Sequence, residues 1–312
     1  MREPTVEEPG AEQPRRPSLS PSRAADFKTC PLLYRFRAID RIPEKPTPDQ
    51  ARGTLVHAVL ERLFDLPAAD RTLANATALI DGQWERLRTE RPELEDLFTD
   101  LAVPTDEEAA RAREPGYPAD PASFRSTTSD LLAGYFQVED PRRLEPAERE
   151  CLVEAVVDDE LLIRGYIDRL DMAPDGSLRV VDYKSGGAPR EAFEARALFQ
   201  LKFYALVLWR TRGVVPRSLR LVYLKDAEAC DYSPDVEELA RFERTVVALW
   251  RAIERAIETR DFRPKPSRLC GWCSHQSRCP AFGGTPPPYP ERAPVVPVAV
   301  EPPPSALAGA EE

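Results

Sequence analysis

The chain has 312 residues, with 43 basic against 53 acidic side chains and a net charge of -10. That length supports one large or two ordinary domains with a full core, and the charge argues against a protein that coats nucleic acid or anionic membrane non-specifically, while leaving room for a local basic cleft. No apolar run reaches the roughly 18 residues of a membrane span, and MREPTVEEPGAEQPRRP lacks the apolar region of a signal peptide, so a cytoplasmic protein with no membrane partner is expected.

Residues 1–17 and 283–312 are rich in Pro, Glu and Ala and too poor in bulky apolar groups to offset the entropy of ordering, so both read as disordered tails. Residues 18–67 read as helices. Ser20 caps a first helix with Pro21 at its first position, ending near Cys30-Pro31, and Leu55, Val59, Leu60 and Leu63 recur at helical spacing over 52–64. Residues 68–147 are charged, mostly helical and carry no site signature, as expected of a helical subdomain inserted before the core.

The character changes at 148–265. ECLVEAVVD, LLIRGYIDRLDM and LRVVDYKSG are β-branched and partly alternating, separated by turn residues at 158–160 and 174–176, and predict an antiparallel meander. A helix over about 191–212 and a strand in SLRLVYLKD complete a βαβ crossover. A last helix at about 235–260 leads to a cysteine knuckle at 266–282, LCGWCSHQSRCPAF. The fold class expected is α/β (α+β), with a mixed sheet.

Side chains alternate along a strand, so Asp182 and Lys184 share a face with residue 180. Asp168, in the neighbouring strand, returns beside Asp182 if the hairpin closes at 174–176. Two adjacent carboxylates repel unless a cation lies between them, which invites Mg²⁺ or Mn²⁺. In a reducing compartment Cys270-x2-Cys273-x5-Cys279 reads as metal ligation rather than disulfides, but it offers three thiols where a tetrahedral centre needs four.

The pattern GYIDRLD…VVDYKSG resembles the active-site signature of the PD-(D/E)XK nucleases, in the RecB-family exonuclease branch that includes AddB-like and CRISPR adaptation nucleases; Ile167 stands where the superfamily name puts proline. The resemblance implies a restriction-endonuclease-like core and metal-dependent hydrolysis of DNA, in repair or recombination. It implies His57, in GTLVHAVLERLF, as a metal ligand beside Asp168, Asp182 and the Tyr183 carbonyl. Lys184 would orient the attacking water or stabilise charge, braced by Gln200 and Tyr204 of QLKFY. Glu150, or else Glu148, resembles an acidic position seen ahead of this meander. Cys30, in FKTCPLLYRF, resembles the amino-terminal cysteine of iron-sulfur nucleases, giving with Cys270, Cys273 and Cys279 a [4Fe-4S] staple, although zinc suits four thiolates equally by charge and softness. His275 is expected to face solvent, and Cys151 and Cys230 to be small core residues.

Arg35, Arg37, Arg41 and Arg52 offer a basic stretch for phosphate contacts. No G-x-x-x-x-G-K-[ST] loop occurs, so any helicase is a partner in trans acting on the same DNA. The alternative is a non-catalytic DNA-binding or scaffold module with a structural Fe-S or zinc centre.

Overall fold

The computed structural model describes residues 17–95, 97–98, 120–188 and 194–291. At its centre is a 6-stranded mixed sheet. β2 (Glu148–Val157), β3 (Leu161–Met172) and β4 (Leu178–Lys184) form the antiparallel meander. Asp158 and Asp159 take left-handed φ of 49° and 59° in the three-residue loop 158–160 that closes its first turn. In the second, Asp175 accepts the Ser177 N–H and Gly176 takes φ 81°. β5 (Ser218–Tyr223) then runs parallel to β4, and β6 (Glu228–Tyr232) returns antiparallel on β5. β1 (Ser18–Leu19) pairs parallel with the start of β3.

Helices cover both faces, as a sheet with a parallel crossover requires. α1 (Pro21–Thr29), α2 (Pro31–Tyr34), α6 (Glu194–Arg212) and α7 (Val236–Thr259) bury one face, packing on Leu170, Val180, Leu219 and Leu221. α3 (Pro48–Leu63), α4 (Leu73–Glu90) and α5 (Pro121–Val138) bury the other, over Val181, Tyr183, Val222 and Leu224. Alternation along β4 and β5 thus sends neighbouring residues into two separate cores. α5 comes so close that a Cβ at Gly134 would lie 1.9 Å from the Leu224 carbonyl oxygen, so only glycine fits there.

The mixed α/β architecture is the one the alternation predicts, with differences at the margins. α3 starts at Pro48, ahead of the expected 52, because Thr47 and Gln50 form a capping box. Both β1 and β6 go unpredicted, being too short or too polar to show alternation. Residues 1–16 and 292–312 of the expected tails, and 99–119 of the expected helical subdomain, lie outside the described residues. Residues 283–291, expected to be disordered, rest on the body: Tyr289 stacks on Phe262 at 6.2 Å, and Arg35 donates to the Pro287 carbonyl. Among the described residues no helix is long and apolar enough to cross a membrane.

Candidate active site

Three carboxylates occupy one row across the meander. The β2–β3 register pairs Arg149 with Arg169 and Cys151 with Ile167, which sets Glu150 opposite Asp168. The β3–β4 ladder ends at Arg169 and Val181, one step short of Asp168 and Asp182. Here the strands part, and the Asp168 carboxylate takes the Tyr183 N–H at 2.7 Å in place of a ladder partner. Glu150 has φ 42°, left-handed for a residue with a Cβ, a conformation costing about 1–3 kcal/mol. It breaks the alternation of β2. Cys151 packs into the α6-side core and Glu148 also reaches that side, to Arg212, while Arg149 between them reaches Asp65 at the end of α3.

α3 delivers His57 into this gap. Its Nε2 lies 3.0 Å from the Tyr183 carbonyl oxygen, and since that oxygen can only accept, Nε2 carries a proton. Its Nδ1 faces Asp168 at 3.5 Å and Glu150 at 3.8 Å. His57, Glu150 and Asp168 are the only group of three or more histidine, cysteine or acidic side chains, among the described residues, whose ligand atoms all lie within 4.8 Å of one another. Burial works against a charged imidazole at His57, but the charges of Asp168 and Glu150 outweigh it and hold its pKa well above the ordinary value. Burial, with Asp168 adding to it and His57 opposing, pushes Glu150 up to about 7. At Asp168 burial is outweighed by His57 and Lys184, and the pKa falls.

Asp182 stands on the α6 side of the row, 1% exposed. Lys184 Nζ lies 2.5 Å from its Oδ2 as an ion pair, while its buried Oδ1 has no hydrogen-bond partner. Burial, with Asp168 adding and Lys184 opposing, pushes Asp182 up to about 6. Lys184 Nζ donates to Gln200 Oε1 at 2.9 Å, and Gln200 Nε2 donates to Tyr204 Oη at 2.9 Å. The Tyr204 ring is pressed against bare backbone: a Cβ at Gly165 would meet its Cε1 at 2.7 Å.

The structure therefore brings His57, Asp168, Tyr183, Asp182, Lys184, Gln200 and Tyr204 to one site, and of the two alternatives Glu150 and Glu148 it brings Glu150 there. Asp182 lies outside the tight group and Glu150 within it, a difference from the expected ligand set. The left-handed turn at Glu150 aims its carboxylate there, a backbone detail that a glutamate heading an alternating strand does not signal.

Asp182 gives the cleft a pH signature. A carboxylate whose pKa rises on folding binds more protons in the native than in the unfolded chain between about 3.8 and 6, so its contribution to stability falls as pH rises through that window. Asp182→Asn removes this contribution. In the absence of divalent cations the variant is expected to be more stable than the parent at pH 8, by about 2–3 kcal/mol, with the gap closing below pH 4. Urea melts at the two pH values check this.

A second group of residues surrounds a cavity of about 200 Å³ lined by Cys30, Cys270, Cys273 and Cys279. Lys265 N–H reaches Cys30 Sγ at 3.4 Å, joining the end of α1 to the segment before the knuckle. His275 is not the solvent-facing residue expected. It is 1% exposed, its Nε2 is 2.6 Å from Glu44 Oε1, and its ring tilts on Phe36 at 5.1 Å. Glu44 also takes Arg37, whose other partner is Asp26. The expected basic stretch dissolves accordingly: Arg35 is buried on Asp40, Arg37 is held by two acids and Arg52 pairs with Asp49. Cys151 and Cys230 pack partly buried against the α6-side core.

The chain is 23% identical over 287 residues to the Gene 69 protein of Mycobacterium phage D29, covering 85% of this chain and 97% of that one. It is 29% identical over 129 residues to the Gene 69 protein of Mycobacterium phage L5, covering 40% and 41%. Among solved structures it is similar to one named "Putative exonuclease" from Eubacterium rectale, with a TM-score of 0.47 and 11% identity over 82% of this chain and 86% of the other. Residues 18–280, from the β1 strand through the knuckle, match the family described as the PD-(D/E)XK nuclease superfamily. With the Asp168, Asp182 and Lys184 signature lodged at the parting of two strands and the match running through nearly every described element, the chain belongs to the PD-(D/E)XK nuclease superfamily.

Proposed function

We propose that this chain is a divalent-metal-dependent DNA exonuclease of the RecB branch, acting in repair or recombination on DNA that a helicase in trans opens. The observation that carries the reading is the meeting of His57, Glu150 and Asp168 within 4.8 Å, one strand from Asp182, a carboxylate 1% exposed whose Oδ2 faces Lys184 Nζ at 2.5 Å. Carboxylates crowded this closely repel unless cations lie among them. Carboxylate and carbonyl oxygens suit Mg²⁺ or Mn²⁺, with the imidazole nitrogen favouring Mn²⁺ of the two, and His57, Glu150, Asp168, Asp182 and the Tyr183 carbonyl are the groups that would hold it.

When bound, the cation supplies Lewis acidity toward the scissile phosphodiester and a water. The chain's own groups do the rest. Lys184, steadied by Gln200 Oε1 and with Tyr204 fixing Gln200 in turn, presents its ammonium where charge develops on the phosphoryl oxygens and directs the attacking water. Tyr204 stays protonated, its pKa held well above the ordinary value by burial and the charge of Asp182, and so remains a donor. For the strand itself, Arg23 and Arg41 stand near Arg164 of β3, which Glu154 already holds at 3.0 Å; burial, then the Arg41 and Arg164 charges against the opposing pull of Tyr34 and Asp26, depress the Arg23 pKa. Guanidiniums suit a phosphodiester backbone.

The four cysteines are proposed to hold a [4Fe-4S] cluster that closes the chain from Cys30 to the knuckle. The support is that Cys30, Cys270, Cys273 and Cys279 line one cavity, with the Lys265 N–H reaching Cys30 Sγ.

End-labelled linear and closed circular DNA, single- and double-stranded, test the reading. Linear substrate is expected to be degraded with Mg²⁺ or Mn²⁺ and spared with EDTA, and circles to resist. Cutting of circles at the linear rate would replace exonuclease by endonuclease; no cutting with either metal would remove the nuclease assignment.

A further inference from the structure

The buried cation next to the catalytic aspartate has no part in the chemistry above. Arg169 follows Asp168 directly and is 1% exposed in the α3–α5 core, a position where a charge survives only if fully partnered. Its partners come from three elements. Nη1 and Nη2 clasp the Glu139 carboxylate, at the end of α5, at 2.7 and 3.1 Å. Nε and Nη2 hold Asp171 at 3.0 and 3.1 Å. Nη1 also donates to Tyr183 Oη at 2.7 Å.

Tyr183 is where this network meets the cleft. Its ring stands edge-on between His57, 5.9 Å away, and Tyr135, 5.8 Å away. Its N–H donates to Asp168 and its carbonyl accepts from His57. One residue's main chain thus holds two candidate ligands, and its hydroxyl is tied to a fully buried guanidinium. If only stability were at stake, apolar side chains would fill this core at least as well, since buried ion pairs seldom gain over hydrophobic packing. What an apolar core lacks is a directional tether on the Tyr183 hydroxyl at the point where the β3–β4 ladder has ended and the sheet holds β4 only from its β5 side.

We propose that Arg169 is a positioning residue for the metal centre: through Tyr183 it fixes the amide and carbonyl that orient Asp168 and His57, and so sets how tightly the cleft takes a divalent cation. This rests on the metal-site reading above. Groups that hold metal ligands in place typically change metal affinity by about 10–100-fold when removed.

The decisive variant is charge-balanced. In Glu139→Leu/Arg169→Met both partners of the buried pair leave together, while Asp171 keeps Arg179 and Arg220 keeps Asp231. The purified full chain is titrated with Mn²⁺ and the free aqueous ion followed by electron paramagnetic resonance, with melting temperature measured alongside. The double variant is expected to melt near the parent but to bind Mn²⁺ about tenfold or more weaker, with the metal needed for half-maximal cleavage rising in step. An unchanged Mn²⁺ affinity in a folded double variant overturns the proposal. If that variant does not fold, Tyr183→Phe decides on the same titration: a loss of about threefold or more supports it, and no loss overturns it. Asp168→Asn separates the two levels. If the parent fails to bind Mn²⁺, or Asp168→Asn binds it equally well, the metal site itself falls, whatever Arg169 does.

Discussion

Lys184→Ala is expected to leave a folded protein whose metal-dependent DNA hydrolysis is slower by about 10³-fold or more, and Asp182→Asn to do the same. The two act on opposite charges of one pair, 2.5 Å apart in a water-poor gap. Without the ammonium, the site loses the cation placed to oppose charge developing on the phosphate, and Gln200 loses the donor it accepts from. Without the Asp182 charge, the cleft keeps the His57, Glu150 and Asp168 group but loses its most buried anion. Initial rates at saturating Mg²⁺, with melting temperature as control, make the measurement. Equal rates in parent and variants would favour a non-catalytic DNA-binding module, since such a module has no use for this lysine.

Cys30→Ala carries the other large effect. A centre joining Cys30 to Cys270, Cys273 and Cys279 closes a loop of about 240 residues. By loop-closure entropy its loss costs on the order of 5 kcal/mol, which for a chain of this size lowers the melting temperature by about 10 °C or more. Anaerobically purified parent protein is expected to hold about four iron atoms per chain with visible absorbance, and Cys30→Ala to lose both. Stoichiometric zinc and no iron would turn the centre into a zinc site.

Periodicity carries the reading of the sheet a long way, because β2 alternates between a buried and an exposed face while β4 and β5 read as apolar runs buried on both. The DYK stretch, one strand long, already orients Asp182 and Lys184 to one side. Cooperative features are harder to read. Glu150 reaches the cleft only because its backbone turns left-handed at φ 42°, and no residue type announces that in a glutamate. His275 sits in a polar loop by sequence and in a buried pair with Glu44 by structure, partners 231 residues apart. Arg35, Arg37 and Arg52 look like a cationic face until local acids claim them. Arg169 and Asp171 stand inside the quoted GYIDRLD stretch, yet their role depends on Glu139, from a helix with no motif of its own.

The order of these parts along the chain has a consequence for synthesis. The cleft is complete in sequence at Tyr204, whereas the thiols that would lock α1 in place finish about 75 residues later. At translation speeds of about 5–20 residues per second, a nascent chain spends several seconds with every cutting group already made and its amino-terminal helices not yet fastened. In a chain ordered this way the cutting groups leave the ribosome before the residues that would fasten the amino-terminal helices.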